Sequence, residues 1–387
     1  VASNGTWIFT PATSLPEGIA SFTVTATDAA GNVSDPSNPY TLELDFSAPS
    51  KPVIGDIIDD IGDITGTIAP NGTTDDTKPT LSGTGEPGST IEVFDGTTPL
   101  GTTTVQPDGT WSFTPPTDLA EGPHSLTVIE RDIAGNPSVP SDPAVFTVDT
   151  TAPVANSIDI TYITEDTGTN NTDFITNDQT LVIGGTLTNA LQSDESVQVS
   201  LDGGITWVEA TVSGTTWSYD NTGTTLAEGD YDTRVRIVDV AGNVGATDTQ
   251  TVTIDTTPPV AASKIDSYVD NVGSIQNATS TATTTDDDTV TLNGTNEALQ
   301  AGEVINVYRD GALIGTATSV TTTTWQLDGV AIDSESDNYT VAIADVAGNV
   351  LAGTGSLDIA LDTTPPSATV SIDTYTDNVG VSQGDFV

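Results

Sequence analysis

Asp-x-Ala-Gly-Asn occurs four times along the chain, and that recurrence requires an array of modules rather than one large domain. Asp28 opens DAAGN, Asp132 opens DIAGN, and Asp239 and Asp345 each open DVAGN, at intervals of 104, 107 and 106 residues. A second Asp keeps step: Asp45, Asp149, Asp255 and Asp362 each begin a short connector 16 or 17 residues later, reading DFSAP, DTTAP, DTTPP and DTTPP. So does a Trp, since Trp7, Trp111, Trp217 and Trp325 lie 20 to 22 residues before the repeated Asp. Cutting at the connectors gives a partial repeat over 1–46, complete repeats over 47–150, 151–256 and 257–363, and the start of another over 364–387. Each complete repeat is long enough for a core of its own. The sequence thus reads as part of a longer protein whose secretion and anchoring signals lie elsewhere.

Helical periodicity is nearly absent. Alternating runs such as TIEVFDG (90–96), SLTVIERD (125–132), YDTRVRIVD (231–239) and YTVAIAD (339–345) predict half-buried strands, six to eight per repeat. Turn signals stand between them: Asp95-Gly96, Asp202-Gly203 and Asp310-Gly311 read as hairpins, and Asn4-Gly5 and Asn293-Gly294 as turns. Short strands at this spacing predict an all-β fold, a tandem array of immunoglobulin-like antiparallel β-sandwiches forming an elongated rod. The recurring Trp is expected in each core. No apolar run is long enough to span a membrane.

The charge is extreme, with 55 acidic residues against seven basic ones, a formal net charge of -48. The scattered basic residues form no stripe, which excludes nucleic acid as a partner. Self-repulsion on this scale disfavours a compact state unless cations intervene. Without Cys, disulfides do not help.

The acidic residues gather where modules should meet. In an immunoglobulin-like strand order the DxAGN loop lies at the end where the chain enters a module. Asp132 should then face Asp45, Asp239 should face Asp149, and Asp345 should face Asp255. Glu86 and Glu297 lie on the loop between the second and third strands at that same end; the third module has no matching Glu. From the preceding module come its first long loop, with Asp59 and Asp60, Asp166, Asp270 or Asp377, and the acidic segments 75–76, 118–122 and 226–230. Converging carboxylates without a counter-cation suit Ca²⁺, which takes six to eight oxygen ligands in flexible geometry. One His and no Cys leave zinc and copper almost without ligands. The alternative is that each DxAGN Asp only caps its own turn. Asp75-Asp76 and the run 286–288 suit either ligands or a solvated loop.

Cys-free, acidic, Thr-rich repeats of this length with DAAGN loops and DTTAP connectors resemble the bacterial immunoglobulin-like repeats of giant surface adhesins exported by type I secretion. The resemblance implies a monomeric extracellular rod at the bacterial cell surface, with Ca²⁺ joints. Asp28, Asp132, Asp239 and Asp345 would be loop ligands, and Asp45, Asp149, Asp255 and Asp362 connector ligands. Through its parent protein such a stalk would support adhesion, in virulence or biofilm formation, to a host-cell or surface receptor, or to a glycan. Alternatively the repeats themselves bind a glycan or another surface ligand, with Trp207, Tyr162 and Tyr268 as the aromatic candidates. An enzyme is not expected: the acidic clusters belong to the repeat, and His124, the single imidazole, is expected at the start of an exposed strand.

Overall fold

The computed structural model describes the chain except residues 3, 155, 274–277, 334–335, 373–374, 378–383 and 387, and does not describe the side chains of 278, 375–377 and 384–386. The described residues form strands, turns and loops, with no helix that could cross a membrane. Three separate apolar cores, spanning Ile57–Val148, Ile158–Ile254 and Ala261–Ile359, correspond to three sandwiches.

The central strand order is the same in each, and only short edge strands differ. In the second module Gly66–Thr67, Val53–Asp59, Thr80–Thr84 and Thr110–Phe113 form one sheet, and Thr73–Thr74, Ala144–Val148, Gly122–Arg131, Thr90–Asp95 and Thr98–Thr104 form the other. Alternating side chains of both sheets, among them Ile57, Leu81 and Trp111 against Val93, Leu126 and Phe146, fill the space between. The strands number more than the alternating runs do because several are only two residues long. One of these matters most. Thr73–Thr74 pairs in parallel with Thr147–Val148, Ile175–Thr176 with Thr253–Ile254, and Thr284–Thr285 with Ala360–Leu361. Two residues carry no readable periodicity, so this pairing is invisible in the sequence.

The repeated Trp is a core residue in the three complete modules. Trp111, Trp217 and Trp325 stand opposite Gly83, Gly185 and Gly294 on the neighbouring strand, and each indole N–H donates to a backbone carbonyl, of Thr84, Asp159 and Lys264 respectively. The glycines are required by the indole: a Cβ on Gly185 would overlap the Asp159 carbonyl oxygen and lie 2.8 Å from Trp217 Nε1. Asn293-Gly294 is therefore part of the strand Thr289–Asn296 and not a turn. Trp7 differs, being 55% exposed: among the described residues of 1–46 the strands Gly18–Phe22 and Tyr40–Leu44 pair with each other, and no glycine strand lies opposite the indole.

Asp310 and Gly311, at φ 49° and 82°, make the tight turn expected between Val304–Arg309 and Ala312–Thr316. Asp95 is more than a turn residue. Its carboxylate accepts from Ser125 N at 3.1 Å and pairs with His124 Nδ1 at 2.8 Å. His124 is buried against Phe146, and its Nε2 lies 2.7 Å from the Ala120 carbonyl oxygen; the exposed strand start expected for it is not what forms. Strand alternation puts every second residue of Gly122–Arg131 inward, and His124 falls on the inner face.

Gly185→Ala is expected to destabilise the third module by about 1–3 kcal/mol through overpacking against the indole. Gly223→Ala, where a Cβ meets nothing within 4 Å, should stay within about 0.5 kcal/mol of the parent. Urea unfolding followed by Trp fluorescence measures both.

Candidate metal centre at the module joints

The parallel two-residue strand decides which carboxylates meet at the exit end of a module. Beside Thr74 the last strand ends, and Asp149 N donates to the Thr74 carbonyl at 2.9 Å. The Thr74 hydroxyl donates to Asp59 Oδ2 at 2.5 Å and accepts from Asp76 N at 3.1 Å. Gly62, at φ 70°, lets Asp75 Oδ2 occupy the place a Cβ would take. Asp59, Asp75, Asp76 and Asp149 are thereby gathered around one threonine. Asp255 N and Asp362 N repeat the connector bond to Thr176 O at 3.0 Å and Thr285 O at 2.8 Å. In the fourth module the Thr285 hydroxyl bonds Asp270 Oδ2 at 3.2 Å, and Gly273 makes room for Asp286 as Gly62 does for Asp75. In the third, Asn177 replaces the first Asp of the pair, and the Thr176 hydroxyl donates to the Glu165 carbonyl at 2.6 Å.

Two carboxylate oxygens of the second module, Asp75 Oδ1 and Asp76 Oδ2, are buried without a hydrogen-bond partner, as is Asp166 Oδ1 in the third. Leaving a charged acceptor buried and unpaired is costly. Burial, then repulsion from Asp59, Asp76 and Asp239, raises the Asp75 carboxyl above the usual carboxylate range. Burial and the nearby Asp59 and Asp60 do the same to Asp76, and burial with Asp239 and Glu121 does it to Asp149.

At the other end of each module the DxAGN Asp caps its own loop. Asp239 Oδ1 accepts from the backbone N–H of Ala241, Gly242 and Asn243, all at 2.9 Å, and Oδ2 accepts from Asn243 Nδ2 at 3.0 Å. Asp28, Asp132 and Asp345 are held by Asn32, Asn136 and Asn349 in the same way. The Asn then reaches across the joint. Asn136 Nδ2 donates to the Asp45 carbonyl at 3.1 Å, Asn243 to Asp149 at 2.9 Å and Asn349 to Asp255 at 2.8 Å. Each loop therefore lies on the connector that precedes its module.

The first long loop of the preceding module closes the second and third joints. At the second, Gly242 packs on Ile64, and Asp63 pairs with Arg236. At the third, the Thr167 hydroxyl donates to the Ala347 carbonyl, and Gly168, at φ 99°, lies so close to Val346 that a Cβ would overlap its carbonyl oxygen. Glu86 is exposed and its backbone N–H donates to Glu130 Oε1 at 2.6 Å, while Glu297 Oε2 accepts from Ala262 N at 3.0 Å. Asp60 is exposed beside Asp76, and the side chain of Asp377 lies outside the described residues. Three further carboxylates clasp the connectors: Glu121 accepts from the Thr150 and Thr151 hydroxyls, Glu228 from Thr256 and Thr257, and Glu17 from Ser47. Their signal in the sequence is an [LA]-x-E-G run before the penultimate strand, just as a recurring Thr-[Asp/Asn]-Asp marks Asp75, Asp76 and Asp287. Among the described residues no group of three or more Asp, Glu, His or Cys side chains stands ready to hold a metal ion by itself. A cation here would also need backbone carbonyls.

Of the aromatic candidates for a glycan platform, only Tyr268 is withdrawn from the surface, and Tyr162 is 44% exposed. Tyr268 is fully buried with its hydroxyl on the Thr284 carbonyl, Tyr162 packs over Gly184, and Trp207 lies under the Arg236 guanidinium.

A model of the bacterial Ig-like domain matches residues 1–46, 51–150 and 154–256, more than half the chain. The chain belongs to the bacterial Ig-like domain family. The fourth sandwich lies outside the matched residues but has the same sheet order. No curated protein matches the chain. Among solved structures, the bacterial Ig-like chain resembles one from a 1.5-MDa bacterial ice-binding adhesin at 20% identity, with 81% of this chain and 99% of that one covered and a TM-score of 0.27. It also resembles a tetra-tandem repeat from the extending region of a large adhesion protein at 22% identity, covering 90% and 83%, with a TM-score of 0.23. Fibronectin(III)-like modules of Clostridium thermocellum CbhA match at 14% identity, covering 51% and 93%, with a TM-score of 0.32. No enzymatic family is indicated by the match.

The raised carboxyls of Asp75, Asp76 and Asp149 fix the sign of a pH effect. A folded module that holds these protons more tightly than the unfolded chain gains their full contribution below the unfolded pKa and loses it as pH rises through the folded one. In chelator, the contribution of these groups to the melting of the second module should therefore grow as pH falls from neutral toward the ordinary Asp pKa of about 4, and Asp75→Asn/Asp76→Asn should flatten that gain. Calorimetry across this range checks both.

Proposed function

We propose that the chain is an extracellular stalk segment of a bacterial surface adhesin, a rod of Ig-like modules whose joints are stiffened by Ca²⁺. The buried, unpartnered oxygens of Asp75 and Asp76 beside Asp59, Asp149 and Asp239 carry this reading. A hard oxygen donor set without imidazole or thiolate fits Ca²⁺, which would supply the positive charge that these carboxylates lack. Asp149 is suited to bridge, since its backbone is bonded to both modules: N–H to Thr74 below, carbonyl to Asn243 above. At the third joint Asp166, Asp255 and Asp345 supply corresponding groups, and at the first Asp45 and Asp132. The Asp28 and Asp362 positions repeat the same motifs. Adhesion to a receptor or a glycan would be a property of the parent protein, and the stalk would hold its adhesive part away from the cell.

A site that binds only the folded state stabilises by mass action. Extracellular modules of this kind have dissociation constants on the order of 0.1–1 mM, too weak to fill in cytosol, so folding would be completed after export. Asp149→Ala is expected to lower Ca²⁺ affinity at the second joint and leave both flanking sandwiches folded, because the carboxylate lies outside both cores. Asp108→Ala, in an exposed turn of the second module, should change neither. Calorimetric titration and melting measure this. Unchanged affinity and stoichiometry in Asp149→Ala would reduce the connector Asp to a turn residue.

A further inference from the structure

Of the seven basic side chains, six form their ion pairs within their own module: Lys51 with Asp142, Lys78 with Asp118, Arg131 with Glu92, Arg234 with Asp232, Lys264 with Asp266, and Arg309 with Asp333 and Asp337. Arg236 is the exception. From the strand Gly229–Asp239 its guanidinium crosses to Asp63 on the first long loop of the preceding module.

The site around it is built. Gln198 stands opposite Arg236 on the neighbouring strand, and its Oε1 accepts from Nε at 2.9 Å and Nη2 at 2.7 Å. The guanidinium carbon lies 4.0 Å from the Trp207 ring centre, a cation–π contact. Trp207 is placed by a loop wound on Asp202. Its carboxylate accepts from the Ser200 hydroxyl at 2.7 Å, Ile205 N at 3.0 Å, Thr206 N at 2.9 Å and the Thr206 hydroxyl at 2.6 Å, while Gly204 N donates to Ser200 Oγ at 2.8 Å. The Arg side chain is only 8% exposed. A guanidinium this buried demands a carboxylate partner, and with Nε and Nη2 on Gln198, Nη1 is aimed at the joint. The arrangement belongs to one joint. Three residues before the repeated Asp, where the third module has Arg236, the second has Ile129 and the fourth Ala342.

We propose that Arg236, seated on Trp207 and Gln198, is a built-in cationic latch that closes on Asp63 and fixes the angle between the second and third modules without a bound divalent ion. This does not rest on the Ca²⁺ reading. The latch supplies positive charge to a loop crowded by Asp59, Asp60, Asp63 and Asp75, whereas the third joint is closed by neutral contacts, the Thr167 hydroxyl on the Ala347 carbonyl and the close backbone approach of Gly168 to Val346.

The Cys-free chain allows a direct test by double electron–electron resonance in chelator. One full-length protein carries spin labels at Thr102→Cys and Thr249→Cys, across the second joint, and another at Thr249→Cys and Ala312→Cys, across the third. The expected result is a single narrow distance across the second joint that Asp63→Asn turns into a broad distribution. Arg236→Gln should do the same, and the two together should broaden it no further than either alone. The third-joint distribution should not respond. Asp63 is half exposed, so its replacement leaves both cores intact and decides the matter even where Arg236→Gln perturbs folding. A broad second-joint distance in the parent protein, or a narrow one that survives Asp63→Asn, overturns the latch. Failure of Ca²⁺ binding would leave these chelator measurements unaffected.

Discussion

The two-residue parallel pairing at the exit end of each sandwich is the constraint on which the joints depend. By laying Thr74 beside Val148 it anchors the connector Asp149, orients the Thr74 hydroxyl toward Asp59, and carries Asp75 and Asp76 into the same small volume. Thr176 and Thr285 repeat the anchor for Asp255 and Asp362. Without it the last strand would leave the sheet at no fixed point. The carboxylates are then concentrated as a consequence of strand pairing, before any ion is considered.

Much of this was legible in the sequence, and for identifiable reasons. A motif whose Asp must cap a turn and whose Gly must take a positive φ constrains its own geometry, so DxAGN reveals a loop wherever it occurs. The Trp was readable because alternation with buried neighbours leaves it one face to point to. The missed features lack a local signature. The two-residue strands have no period, His124 is placed inside by a strand phase that its polar character hides, and Arg236 gains its meaning from a residue 173 positions away. Glu86 and Glu297 were assigned from loop position alone. Position says nothing about which donor a flexible carboxylate will find: Glu297 accepts from Ala262 N, and at Glu86 it is the backbone N–H that is bonded, to Glu130.

The charge also distinguishes the modules from one another. Repeats with one strand order meet the same crowding of carboxylates in different ways: Asn177 replaces an Asp in the third module, Arg236 faces the loop of the second, and Glu121 and Glu228 spend their charge on connector threonines. Hydrogen bonding from those threonines holds the Glu121 and Glu228 carboxyls below their usual range, whereas burial pushes those of Asp75 and Asp76 up. Neighbouring acids thus have divergent proton affinities within one joint.

Magnitudes decide what can hold such a joint straight. The bond shared by all three is a neutral one, Asn to a connector carbonyl, and its net worth is about 1 kcal/mol. With about 1.4 kcal/mol for each factor of ten, that bond alone would leave on the order of one joint in six open at any moment. A stalk of several modules would then bend somewhere almost always. Rigidity must come from interactions that are stronger because they are charged and partly desolvated, and the joints contain the acidic half of such interactions in excess. At the second joint Arg236 supplies one positive charge from within the chain, but Asp75 and Asp76 still have oxygens with no partner. Arg236 can close that joint but leaves these oxygens unpaired, and at the third joint no basic side chain answers at all among the described residues. On the function proposed above, the remaining positive charge would come from solution, and the stiffness of the array would then depend on the cations around it.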